Sequence, residues 1–164
     1  MSRAAGPAPP AVARIVSGGQ TGVDRAALDV ARRLGIPYGG WCPRGGLAED
    51  HREPPGVLTD YPGLSETPTV DPAQRTAWNV RDSDATLVVT AAVDSPGTAL
   101  TKRTAHEQGR PLLTSVDAGE VARWLDGLRH RVGTGLTLNV AGPRASQWPE
   151  AYDAADALLE RVLR

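Results

Sequence analysis

A β-branched pair, Ile15-Val16, runs straight into Ser17-Gly18-Gly19-Gln20-Thr21-Gly22, and beyond it the apolar residues return at helical spacing. Val23, Ala26, Ala27, Val30, Ala31 and Leu34 fall at i, i+3, i+4, i+7, i+8 and i+11, the stripe of a helix laid on a sheet. Ala13 to Gly19 therefore reads as a strand ending in a flexible turn. Thr21 with Asp24 resembles a capping box, and Gly35 followed by Pro37 supplies the helix stop.

The same alternation continues along the chain. Ile36 to Cys42 is expected as a short second strand, followed by a Pro- and Gly-rich stretch to Val70, long for an ordinary connection. Asp71 as cap and Pro72 at the first helical position open a helix to about Val80. Ala85 to Ala91 is an apolar, β-branched run of the kind buried in a parallel sheet. Gly97 to Gly109 reads as helix, Pro111 to Val116 as strand, and Gly119 to Leu128 as a helix with Val121, Trp124, Leu125 and Leu128 on one face. Thr137 to Ala141 is the last strand, and the tail helix sets Tyr152, Ala155, Leu159 and Val162 in one stripe. Parallel neighbours need crossovers, so the expected fold is α/β: a single Rossmann-like three-layer domain, its mainly parallel sheet of about five strands or more carrying helices on both faces. In such sheets ligands sit beyond the carboxyl ends of the strands, near the point where strand order reverses.

Composition narrows the function classes. The 164 residues suit one domain. With 40% apolar and 23% charged residues, disorder and fibrous repeats are excluded. The 18 basic and 19 acidic residues leave a net charge of -1 and no general attraction to nucleic acid or anionic lipid. No apolar run approaches the ~20 residues of a membrane helix. Residues 1–12 hold three prolines and no continuous apolar segment, so they are expected as a flexible tail before a domain of residues 13–164, and not as a secretory signal. The single Cys42 cannot close an intramolecular disulfide, which fits a reducing cytoplasm.

Four turns follow predicted strands. In the first, Gly18, Gly19, Gln20, Thr21 and Gly22 with Arg25 precede a helix whose unpaired N–H groups and dipole favour an anion; a phosphate fits, and so does a plain tight turn. The loop matches neither the Walker pattern nor G-x-G-x-x-G. In the second, Ser95-Pro96-Gly97-Thr98 opens another helix and offers a second set of donors. The third, Gly142 to Ser146, brings the Arg144 guanidinium and a helix start, or else Pro143 and Ser146 simply set up the terminal helix. The fourth, Gly39 to Gly46, combines Trp41, Cys42 and Arg44. Trp41 is a stacking platform or a core residue and Cys42 a reactive thiol or a small hydrophobe, while Arg44 is the better ligand candidate. Glu49 and Asp50 are candidate acid/base groups or solvated carboxylates. Arg75 and Asn79 share a helix face, from which Arg75 can reach the ligand rim and Asn79 can anchor loop backbone. Asp82 and Asp84 precede a strand and belong at its amino end, where they cap or turn. His51, His106 and His130 lack metal-ligand spacing, so no metal site is expected, and no Ser-His-Asp arrangement is present.

Taken in order, the runs Ile15 to Asp29, Gly39 to Gly45 with Ala48-Glu49-Asp50, Leu64-Ser65-Glu66-Thr67, Arg75-Thr76 with Asn79-Val80, Asp82 to Leu87, Gly97 to Thr101 and Leu138 to Arg144 closely resemble the putative molybdenum carrier family. This is a YpsA-like branch of the SLOG superfamily, with a Rossmann-like fold related to that of lysine-decarboxylase-like proteins. The resemblance runs from residue 13 to the C-terminus. It implies a small phosphate-bearing ligand, nucleotide-like or a pterin such as the molybdenum cofactor, bound at the carboxyl-end rim of the sheet, with no nucleic-acid or membrane partner. With leftover apolar helix faces it also favours a homo-oligomer. After Glu49-Asp50 the family pattern expects a Gly and an Ile-Pro, where this chain has His51-Arg52-Glu53-Pro54-Pro55. The alternative implied function is N-glycosidic cleavage of a nucleoside monophosphate, as in related phosphoribohydrolases. Those carry Gly-Thr-x-x-Glu; here Gly97-Thr98 is followed by Thr101 and Lys102, and Glu49, Glu66 or Asp24 substitutes only if the fold brings it to the rim.

Overall fold

The computed structural model describes residues 12–91, 94–132 and 135–164. Its elements run β1 (Arg14–Val16), α1 (Val23–Leu34), β2 (Tyr38–Gly39), β3 (Trp41–Cys42), β4 (Ser65–Glu66), α2 (Pro72–Arg81), β5 (Ala85–Val88), α3 (Pro96–Glu107), β6 (Leu112–Thr114), α4 (Ala118–Val132), β7 (Thr137–Ala141) and α5 (Ala151–Leu163). Five strands form one sheet in the order β2-β1-β7-β5-β6, and every pairing in it is parallel. The α/β, Rossmann-like expectation is met. Residues 1–11 of the expected tail lie outside the described residues, whereas Val12, counted with that tail, is fully buried in the core.

Two local expectations fail for identifiable reasons. The strand expected over Ile36 to Cys42 breaks at Gly40, whose φ is 123°. A Cβ there would lie 2.4 Å from the Ser17 carbonyl oxygen, so the chain can turn this close to β1 only as glycine. β2 stays in the main sheet, while β3 pairs with β4 from the long loop. Thr21 does not cap α1: the N-cap is Gly22, without a side-chain cap bond, and the Thr21 hydroxyl instead donates to Glu49. The other punctuation works as expected. Gly35 ends α1 in the left-handed conformation at φ 71°, and the Asp71 carboxylate accepts from the Ala73 N–H at 2.9 Å.

The sheet separates two unlike faces. Ile15, Leu87, Leu138 and Val140 belong to one continuous apolar cluster with residues of α1, α4 and α5. Strand alternation turns Thr86, Val88 and Asn139 to the other face, where Asn139 donates to Thr86 at 3.2 Å. α2 and α3 pack on each other there, and none of their described residues belongs to the main cluster. Their buried residues include Asn79, Thr98, Thr101 and Thr104. The long loop has a small core of its own, Cys42, Ala48, Val57, Tyr61 and Leu64 against Leu28 of α1.

Candidate functional site

Strand order places the site. β1 feeds α1 toward β2 on one side, β5 feeds α3 toward β6 on the other, and β7 lies between them. The turns beyond β1 and β5 therefore diverge and leave a crevice at the carboxyl end of β7. A cavity of about 60 Å³ occupies it. Gly18 and Gln20 reach it from the first turn, Ser95, Gly97 and Thr98 from the start of α3, and Gly142 and Arg144 from the turn after β7. Its inner wall is Val88 and Asn139 of the polar sheet face, and α2 contributes Arg75 and Asn79.

The charged centre of the cavity is Arg75 with Asp24. Arg75 Nη1 lies 3.3 Å from Asp24 Oδ2, and both side chains are mostly buried. Gly18 makes room for this guanidinium: a Cβ at Gly18 would stand 2.1 Å from Arg75 Nη1. Burial pushes the Asp24 carboxyl up to about 6, against the lowering influence of Arg75, the Gln20 backbone N–H, Arg25 and Arg144. Arg75 Nε is buried and without a hydrogen-bond partner among the described residues. A buried donor left unsatisfied carries a desolvation cost that an incoming acceptor removes. At the start of α3 the Ser95 hydroxyl oxygen accepts the Thr98 N–H at 3.3 Å, and Gly97 lies beside them on the cavity wall.

The structure thus brings Gly18, Gln20, Gly97, Thr98, Arg75 and Arg144 together. Gly19, Thr21, Gly22, Arg25, Trp41, Cys42, Arg44 and Glu49 do not line this cavity. Several of these lash loops together instead. Arg25 donates to both Asp50 carboxylate oxygens, at 2.8 and 2.9 Å, and to the Gly19 carbonyl. Glu49 accepts from Thr21, from the Ser146 hydroxyl at 2.6 Å and from the Ser146 N–H. Burial pushes the Glu49 carboxyl up, but these hydrogen bonds outweigh it and hold the group below its ordinary value. Gly22 (φ 78°) lies against the Pro143 carbonyl, which accepts the Val23 N–H at 3.3 Å. Trp41 packs edge-on against Trp78 and donates to Asp82 at 2.8 Å. Cys42 is fully buried, and burial raises its thiol to about 11. Arg44 is exposed in a single-turn helix, Arg44–Gly46. Asn79 anchors loop backbone, accepting from the Trp41 N–H at 2.7 Å and donating to its carbonyl at 2.9 Å.

Two residues of the cavity are weakly marked in the sequence. The spacing of Asp24 from Thr21 resembles a helix cap and so masks its place in the cavity. Asn139 carried a readable signal, an amide between Leu138 and Val140 in an otherwise apolar strand.

An all-parallel sheet whose strand order reverses at a polar cavity defines a Rossmann-like α/β protein. The chain matches the family model described as the circularly permutated YpsA SLOG family over residues 15–163, and it belongs to that family. It is similar to the crystal structure of the putative molybdenum carrier protein from Syntrophus aciditrophicus SB, with 42% identity, 94% of this chain and 97% of that chain covered, and a TM-score of 0.82. A search of curated proteins returned no match.

Proposed function

We propose that the cavity holds the phosphate of a nucleotide-like or pterin ligand, and that the protein binds and carries this ligand without converting it. The observation that supports it most is the meeting of Gln20 and Thr98 in one cavity with two guanidinium groups, Arg75 and Arg144. A volume of about 60 Å³ suits the phosphate alone, with the remainder of the ligand lying outside at the rim. The molybdenum carrier name of the 42% identical protein supports the molybdenum cofactor, a phosphate-bearing pterin, among the candidate ligands. The hydrolase alternative has less support: of its three candidate carboxylates only Asp24 lines the cavity, and the Thr101 hydroxyl donates to the Gly97 carbonyl at 3.1 Å.

Titration calorimetry with a nucleoside monophosphate tests this reading. Arg75→Ala removes a charged hydrogen bond of about 1.5 to 3 kcal/mol and should weaken binding roughly 10- to 150-fold. Unchanged affinity would take Arg75 out of the site. Free base released from a nucleotide panel would replace the carrier reading with the hydrolase one. Native mass spectrometry of freshly purified protein would report the retained ligand's mass together with the subunit count, and so also test the homo-oligomer.

A further inference from the structure

Asp24 is an odd occupant of an anion cavity. The residue is 6% exposed and lines the same space as Arg75, Gly97 and Thr98. The charged groups facing it are Arg75 from α2, Arg144 from the turn after β7, and Arg25 on its own helix, which is already paired with Asp50. The polar side chains that α3 and β7 bring to the lining, among the described residues, are the hydroxyls of Thr98 and Thr101 and the amide of Asn139. A cavity of about 60 Å³ admits several water-sized groups, since one needs ~10–15 Å³, and this is room for a tetrahedral oxyanion in contact with its walls. An ionised carboxylate against such an anion is a close like-charge contact in a poorly solvated place, unless one proton lies between them. Arg75 Nε, without a hydrogen-bond partner among the described residues, supplies the opposing donor.

We propose, resting on the anion reading above, that Asp24 is the specificity-determining residue of this cavity. Its carboxyl group shares one proton with the bound oxyanion, so the site prefers an anion that brings an acidic proton, such as phosphate, over one that has none, such as sulfate. For sulfate the proton must reside on Asp24, whose carboxyl is raised to about 6, and binding therefore falls as pH rises through that value. Inorganic phosphate keeps an acidic hydrogen across the neutral range and donates it to the ionised carboxylate. A phosphate monoester, with a second pKa of about 6, brings the shared proton below that pH; above it the proton is taken up from solution on binding, so monoester affinity also falls as pH rises.

The test is calorimetric titration of the full chain with inorganic phosphate and with sulfate from pH 5 to 8, in the wild type and in Asp24→Asn. Sulfate affinity should fall about tenfold per pH unit above 6, roughly 100-fold by pH 8, while phosphate does not follow this slope. In Asp24→Asn the near-isosteric amide donates to either anion, so sulfate binding should become flat with pH and the preference for phosphate should disappear. The two wild-type profiles carry the test on their own if the variant folds poorly. Phosphate and sulfate binding in parallel at every pH would overturn the role of Asp24 and leave the anion cavity standing. Binding of neither anion would overturn the cavity and this inference together.

Discussion

The two faces of the sheet are built from different chemistry by the same strands. Beneath α1, α4 and α5, Ile15, Leu87, Leu138 and Val140 meet Val30, Leu125 and Leu159 in hydrocarbon, all nearly or fully buried. Beneath α2 and α3, Thr86 and Asn139 meet Thr98, Thr101 and Asn79, and a cavity with a buried Asp24–Arg75 pair remains open. Burial of apolar area is the dominant favourable term in folding, so the first face contributes most of the stability. The second carries buried polar groups that are favourable only when fully partnered, and Arg75 Nε has no partner among the described residues. One half of the molecule thus holds the other, less stable half in a shape suited to binding.

Substitutions on either side sharpen that contrast. The largest effect belongs to the apolar face: Leu159→Ala should lose about 2 to 5 kcal/mol in urea unfolding, while anion affinity of the folded fraction stays unchanged. A loss below 1 kcal/mol would mean that this face is not the dominant core. Next comes the titration of Asp24. Its carboxyl is raised from 3.8 to about 6 in the folded chain, so the folded state holds the proton more tightly than the unfolded one. Stability contributed by the neutral form is complete below about pH 4 and is lost as pH rises through 6, by about 3 kcal/mol at most. Comparing unfolding of wild type and Asp24→Asn at pH 4 and 7 reads this directly; identical pH profiles would show that the raised value is absent. The smallest stability effect is expected for Gly18→Ala. The added Cβ would stand 2.1 Å from Arg75 Nη1 and 3.0 Å from its Cδ and Cζ, so the guanidinium has to shift away from Asp24, at a cost of about 1 kcal/mol in stability. On the proposed function, which makes this guanidinium the anion's partner, phosphate binding should still drop about tenfold. Full affinity in this variant would separate Arg75 from the anion.

The layered fold was legible because periodicity reports directly on burial. The α1 stripe, the Asp71 cap and the β7 run reappear where their spacing put them, and the rule of carboxyl ends leads to the edge of the sheet where the cavity lies. The candidate site was legible only in part. Arg25 and Glu49 look in sequence like ligand groups, and chain folding spends them on Asp50, Thr21 and Ser146. Arg44 follows a strand as a site residue should, but Gly40 diverts that strand into the small β3–β4 pair, and Arg44 ends in solvent. A charged side chain carries the same letter whether its partner is a ligand or another loop.

By itself the sequence determined the alternation of strand and helix, the stop at Gly35 and the helix start at Asp71, and the family, since each depends on neighbours a few residues away or on motifs in order. Tertiary structure alone decided which polar groups face each other across the crevice: that Asp24 meets Arg75 from a distant helix, and that Asn139 looks into the cavity with Thr98. Those pairings depend on strand order and on which face each residue turns to, and both are settled by packing the whole sheet at once.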